Sequence, residues 1–137
     1  MDTVFTDERT AIKAGIDAWI TAVEGRDITQ LPHVVTQDAG SVWIGSGATD
    51  WLEGYEALEQ AMQAQNAALE DIHIDVSQES IHISPHGDMV WATNQWVFNG
   101  HMGDQPLALP LRCTWILQKQ DDRWVIVHFH KSAALPE

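Results

Sequence analysis

The chain has 137 residues, with 7 basic and 20 acidic side chains and a formal net charge of −13. This length predicts one domain over residues 1–137, with enough chain to bury a hydrophobic core. The acidic field would repel a phosphate backbone, so we expect no nucleic-acid partner. We expect no membrane partner either, because no apolar run approaches the roughly 18 residues of a membrane span. The lone cysteine, Cys113, excludes an internal disulfide framework and indicates a cytoplasmic location.

The first half of the chain is patterned mainly as helices. Apolar residues recur at helical spacing in a first predicted helix, from a capping signal at Thr6 to about Gly25. A second, short helix is expected over residues 27–35 and a third over residues 54–69. Between them, residues 41–44 predict a short strand. It ends at Gly45-Ser46-Gly47, which we interpret as a flexible loop.

The second half of the chain changes to the period of two that is typical of strands. Apolar residues occupy even positions in 72–76 and odd positions in 81–83. A β-bulge or bend around Gln78 to Ser80 would keep one face buried along the whole segment. Helices followed by antiparallel strands indicate an α+β fold, with the helices packed on one face of a bent sheet. Three further strands are predicted at 89–98, 107–119 and 124–131, with a loop at 99–105.

The last predicted strand carries two histidines, His128 and His130. Strict alternation puts them on one face together with Trp124 and Ile126. The other face is more apolar, and we expect it to face the helices and any pocket. Its members are Val125, Val127, Phe129 and Lys131.

The predicted order α-α-β-α-β-β-β-β resembles the nuclear transport factor 2-like, or cystatin-like cone, superfamily of SnoaL-like and ketosteroid isomerase-like proteins. Residues Asp121–Ser132 are similar to the closing strand of the calcium/calmodulin-dependent protein kinase II association domain. Ile44–Gly47 followed by Gly54–Leu58 is similar to the SnoaL-like strand, loop and helix start. The resemblance implies a curved antiparallel sheet wrapped round the N-terminal helices. This cone encloses a pocket, and the other sheet face forms a homodimer.

Ketosteroid isomerase-like proton transfer needs a carboxylate base and an oxyanion hole made of a tyrosine and a protonated aspartate. By the resemblance, the base position holds Trp43 or Ile44, the tyrosine position holds Trp19, and the aspartate position falls near Cys113. No carboxylate or phenol occupies these positions, so isomerase activity is not expected. An indole N–H can still donate a hydrogen bond there.

The resemblance also indicates the residues of the pocket. In the kinase association domain a basic residue follows the two histidines and points into the pocket, and Lys131 matches that position. A solvated strand end is the alternative interpretation of Lys131. That domain also has a pocket arginine close to Gln95. The predicted pocket residues are Trp19, Trp43, Gln95, Cys113, Trp115, Val127, Phe129 and Lys131.

Seven histidines raise the question of a metal site. None forms a helical pair four residues apart and no second cysteine is present, so we predict no metal site and no cofactor. For His128 and His130 we expect packing and hydrogen bonding at an interface between subunits rather than catalysis. For Asp38 and Asp50 we expect roles in turns and caps.

Two functions stay open at this point. The first is a small-molecule pocket protein that binds a small hydrophobic carbonyl or carboxylate compound without catalysis, as a SnoaL-like or association-domain-like module. The second is a SnoaL-like or ketosteroid isomerase-like enzyme, an isomerase, cyclase or dehydratase, with a different catalytic set. The missing isomerase residues favour the first, and the free-standing single domain favours the second.

Overall fold

The computed structural model describes the backbone of residues 2–135 and the side chains of residues 8–135. Within this range the helices are α1 (Asp2–Val23), α2 (Leu31–Val34) and α3 (Tyr55–Ala68). The strands are β1 (Val42–Ile44), β2 (Trp51–Glu53), β3 (Glu70–Ile83), β4 (Met89–Met102), β5 (Gln105–Gln120) and β6 (Arg123–Ser132). The α+β order is confirmed, with β2 as an addition. Three residues are too few to show a period of two, which is why β2 was not predicted.

The strands form one curved, open sheet in the order β2-β1-β6-β5-β4-β3. Every neighbouring pair is antiparallel except β1 and β6, which run parallel. The predicted antiparallel sheet is therefore confirmed for the four long strands and departs from the structure at this one pair. The C-terminal strand β6 lies inside the sheet, between β1 and β5, so it links the short strands to the long ones.

The predicted bulge in β3 is confirmed. Ser77 pairs with Gln95 and Ser80 with Thr93, so β3 has one more residue than β4 between these two pairs. Gln78 takes up the extra length with a φ of 54°. The bulge keeps the apolar residues before and after it on the same face of the sheet.

A bulge in β6 was not predicted. Two consecutive β5 residues pair with Ile126 and His128, which leaves Val127 as the extra residue. Trp124 and Ile126 consequently join the buried core on the inner face. The prediction that they share the outer face with His128 is wrong, because strict alternation assumes an unbroken register.

The prediction of a loop at 99–105 is also wrong. β4 continues to Met102 and β5 begins at Gln105, so only Gly103 and Asp104 form the turn. Cross-strand pairing holds the polar residues 99–101 in the strand although their intrinsic preference is for loops. Among the helices, α1 begins at Asp2 rather than at Thr6, and α2 is shorter than predicted.

Helix α1 lies across the inner face of the sheet and is anchored near both ends. Close to its start, the Glu8 carboxylate accepts hydrogen bonds from Lys119 Nζ at 3.0 Å and from Trp124 Nε1 at 2.6 Å. Just beyond its last turn, Glu24 accepts the backbone N–H of Ile74 at 3.0 Å. These contacts set where α1 sits on the sheet. Within residues 2–135, no helix has the length and apolar character that crossing a membrane requires.

The turn between β5 and β6 offers a test of backbone strain. Asp121 and Asp122 have φ values of 51° and 63°, the type I′ geometry that favours glycine at its second position. We expect Asp122→Gly to raise the free energy of unfolding by up to about 1 kcal/mol, because glycine adopts a positive φ without steric cost. Urea unfolding measures the change.

Asp104→Gly is the matched control, since it removes the same charge in the turn between β4 and β5, at a residue whose own φ is not positive. It should not stabilise the protein. Equal gains from the two substitutions would mean that the loss of negative charge, and not backbone strain, is responsible.

Candidate functional site

A cavity of about 250 Å³ lies between the inner face of the sheet and the helices α1 and α3. Trp19 of α1 and Met62 of α3 contribute from the helices, and Trp43 of β1 contributes from the sheet. Phe129 and Lys131 of β6 complete the inner wall. The walls are therefore largely apolar and aromatic, with few polar groups, which is the usual character of a small-molecule site.

Aromatic packing builds the floor of the cavity. The Trp19 ring lies 4.9 Å from Phe129 and 5.5 Å from both Trp43 and Trp115, measured between ring centroids. Trp115 lies 4.3 Å from Phe129 on the adjacent strand. These tilted and edge-on contacts hold the rings in defined positions before any ligand arrives.

Lys131 brings a positive charge into this apolar site. Its Nζ lies 5.9 Å from the centre of the Trp96 ring and 5.8 Å from that of Phe98. Among residues 8–135, no carboxylate lies within ion-pair distance of its ammonium. Burial lowers the pKa of Lys131, and the negative charge of the nearby Asp50 opposes that effect only in part.

The carboxylate of Asp50 also lines the cavity. Its Oδ2 accepts the backbone N–H of Gly47 at 2.8 Å, which confirms the predicted turn role. A Cβ atom at Gly45 or at Gly47 would come within 2.7 Å of the Asp50 side chain. The glycine loop is therefore closed around this carboxylate, a contact that the interpretation of Gly45-Ser46-Gly47 as a flexible loop did not anticipate.

A row of polar residues crosses the inner face of the sheet behind the cavity. Lys131 pairs with Cys113 on β5, and Cys113 pairs with Asn94 on β4. Asn94 is buried, and its Oδ1 accepts the indole N–H of Trp115 at 3.1 Å. Burial raises the pKa of Cys113 to about 12, so its thiol stays protonated near neutral pH. The cysteine is consequently a poor nucleophile here.

The predicted pocket residues separate into three groups in the structure. The first group lines the cavity: Trp19, Trp43, Phe129 and Lys131. Cys113 and Trp115 form the second group, buried behind that wall. Gln95 and Val127 form the third group, away from the cavity.

Gln95 and Val127 do not line the cavity as predicted, and each departure has its own cause in the strand register. Gln95 is exposed on the outer face of β4. Its chain neighbours Asn94 and Trp96 point to the opposite, inner face and are buried. A shift of one residue in the alignment with the kinase association domain is enough to move a residue from the inner face of the strand to the outer face. Val127 is the bulge residue of β6, so alternation does not determine its direction.

The contribution of α3 was not anticipated. Leu58, Met62 and Gln65 line the cavity from one face of this helix. Their helical spacing was visible in the sequence and predicted α3 itself. That spacing identifies a buried face but does not distinguish a cavity wall from ordinary core.

The two histidines of β6 lie away from the cavity. His128 Nδ1 is 2.7 Å from the carbonyl oxygen of Val42, so this ring helps to join β6 to β1. His130 is exposed on the outer face beside Thr114. Among the described residues, no group of three or more histidine, cysteine, aspartate or glutamate side chains is arranged to hold a metal ion.

The partly buried ammonium of Lys131 predicts an unusual dependence of stability on pH. The folded pKa of Lys131 lies below its ordinary value of 10.5, so below that folded pKa the protein carries the full cost of burying the charge. As pH rises toward 10.5, the folded state loses this proton first and the cost is relieved. We expect Lys131→Met to stabilise the fold near pH 7, by on the order of 1 kcal/mol, and this gain to shrink at higher pH.

Thermal unfolding from neutral to alkaline pH measures this gain. Lys13→Met is the control, because the Lys13 ammonium contacts Glu79 at 3.0 Å and Asp17 at 3.6 Å on the surface. Removing it should give no stabilisation at any pH. A Lys131→Met protein that is less stable than the wild type at pH 7 would contradict the prediction.

Comparison with known proteins identifies the family. Among solved structures, a hexachlorocyclohexane dehydrochlorinase, LinA-type3 from Novosphingobium barchaimii, superposes with a TM-score of 0.85 at 14% identity, covering 98% of this chain and 92% of the other. A nuclear transport factor 2 (NTF2-like) superfamily protein from Salmonella enterica gives 0.83 at 17% identity, covering 96% and 94%. A protein with a cystatin-like fold from Caulobacter vibrioides gives 0.77 at 16% identity, covering 95% and 92%.

These likenesses establish the fold. No curated protein matches the chain in sequence. Residues 12–136, however, match the sequence family described as the SnoaL-like domain. That match spans nearly the whole chain and agrees with the superpositions. The protein belongs to the SnoaL-like family and has the fold of nuclear transport factor 2-like proteins.

Proposed function

We propose that this protein binds a small hydrophobic carbonyl or carboxylate compound in the cavity, with Lys131 holding the oxygen-bearing end. The observation that carries the proposal is a lysine in an aromatic wall with no ion-pair partner among residues 8–135. In a protein of net charge −13, acidic partners for a lysine are plentiful on the surface. An anionic or carbonyl ligand would supply Lys131 with the partner that the described residues do not provide.

The rest of the wall fits the same ligand. A flat apolar body would pack against Trp19 and Phe129, and each square ångström of apolar surface removed from water contributes roughly 25 cal/mol. The indole N–H of Trp43 is buried without a hydrogen-bond partner among the described residues. An unsatisfied buried donor costs about 1–3 kcal/mol, so a ligand oxygen placed near it would be favoured.

An enzyme is the second candidate, and Asp50 is the observation in its favour. A carboxylate and an amine in one cavity form the acid and base pair that an isomerase, cyclase or dehydratase requires. A dehydrochlorinase is among the similar structures. Binding has the stronger support, because the Asp50 carboxylate is already engaged by the glycine loop and no described histidine lines the cavity.

Calorimetric titration with aromatic carboxylates such as benzoate and naphthoate tests the binding proposal. We expect Lys131→Met to weaken binding by about 1–3 kcal/mol, because a charge-assisted hydrogen bond in a desolvated site is lost. Lys131→Arg keeps a cation and should retain most of the affinity. Lys13→Met, remote from the cavity, should leave the affinity unchanged. Equal affinities in wild type and Lys131→Met would reject the role of this residue.

We also propose that the protein is a cytoplasmic homodimer formed through the outer face of the sheet. The helices pack on the inner face and leave the outer one uncovered. That face includes Trp91, which is 48% exposed beside Ile116 of the next strand. A buried, unpaired Cys113 fits a reducing compartment.

Sedimentation at micromolar concentration tests self-association. We expect a dimer for the wild type and a shift toward monomer for Trp91→Glu, since a charge would be buried at the interface. Leu135→Glu is the control, because Leu135 is 89% exposed beyond the last strand. A wild-type monomer, or dissociation by both variants equally, would argue against the sheet-face dimer.

A further inference from the structure

We propose that Lys131 captures aldehydes covalently, as an imine formed inside the cavity. This inference rests on the proposed function, because it selects the aldehyde from the wider class of carbonyl and carboxylate ligands. It assigns the lysine a role as a nucleophile rather than only as a cation. Three observations carry it: the placement of the amine, the state of the other lysines and the character of the walls.

The chain has three lysines, and two of them form ion pairs with carboxylates. Lys13 Nζ lies 3.0 Å from Glu79, and Lys119 Nζ lies 3.0 Å from Glu8. A carboxylate partner favours the protonated form, which has no lone pair for attack on a carbonyl. Lys131 is the exception, because it faces aromatic rings and an apolar cavity instead.

The surroundings of Lys131 favour the neutral amine. Burial lowers its pKa, whereas the hydrogen bond to Glu79 raises the pKa of Lys13. The aromatic contacts of the Lys131 ammonium lie near the outer limit of about 6 Å for cation–π attraction, so they oppose deprotonation only weakly. Near neutral pH, the fraction of Lys131 in the neutral, reactive amine form is therefore larger than that of an ordinary surface lysine.

The reaction needs no other reagent. The neutral amine attacks the carbonyl carbon, and a C–N bond forms as the carbonyl π bond opens. The oxygen then leaves as water, carrying the two hydrogens that the amine nitrogen has lost, so atoms balance and nothing is oxidised or reduced. The Trp96 and Phe98 rings beside Lys131 shield one side of the imine from the water that would reverse the reaction.

Benzaldehyde with sodium cyanoborohydride is the probe, since the hydride reduces an imine to a stable secondary amine. We expect intact mass spectrometry at pH 7 to show one benzyl adduct, and peptide mapping to place it on Lys131. Labelling of Lys131 should exceed that of Lys13 and Lys119 several-fold. The chain's terminal amine is separated from all three lysines by the mapping. Protein unfolded in urea is the control for intrinsic reactivity, and there the three lysines should label alike.

Two variants separate this inference from the proposed function. Lys131→Arg should lose the adduct while it still binds benzoate, and Lys13→Met should keep both properties. Benzoate binding without an adduct on wild-type Lys131 would overturn the imine and leave the pocket function standing. Failure of both benzoate binding and labelling would overturn both. Equal labelling of the three lysines in the folded protein would also overturn the imine, because it would show no special reactivity.

Discussion

The packing of Trp19 against the inner face of the sheet is the contact on which this structure depends. This one side chain of α1 touches rings on β1, β5 and β6. It therefore joins the short strands to the long ones through a single layer of aromatic contacts. The same ring forms part of the cavity floor. Core and candidate site are consequently one cluster, and a change in Trp19 would disturb both together.

The position of β6 explains how a polar group reaches that cluster. β6 lies between β1 and β5, so both of its edges are paired with other strands. Helices α1 and α2 cover its inner face. A charged residue at such a place is expensive unless it has a partner. Lys131 is placed there, near the end of the strand and at the cavity wall. The cost is tolerated in a fold whose aromatic contacts are extensive, and a ligand or a covalent adduct would remove it.

The glycine loop shows the same coupling on the other side of the cavity. Gly45 and Gly47 have no side chains, which lets the Asp50 carboxylate lie against their backbone. The hydrogen bond from Gly47 then fixes this carboxylate in the wall. Negative charge is thereby held at a defined place within the same cavity as the Lys131 amine. A free carboxylate on a mobile loop could instead reach the ammonium and neutralise it as an ion pair.

Much of this could be predicted from the sequence. The change of period from 3.6 to 2 determined the α+β order, and the parity change at 72–83 determined the bulge in β3. The motifs of the closing strand indicated the family. They also indicated Phe129 and Lys131 as residues of the inner face, where the structure has them at the cavity. These features are encoded locally, in residues close together along the chain.

Tertiary structure alone decided the rest. The bulge at Val127 depends on which β5 residues lie opposite, and it moved Trp124 and Ile126 into the core. The inner position of Asn94, rather than Gln95, depends on a register that a resemblance fixes only to within one residue. Leu58 of α3 lines the cavity because of the position at which that helix packs against the rest of the fold. Pairing register and the distance between packed layers arise between segments far apart in the chain, so no local pattern of residues encodes them.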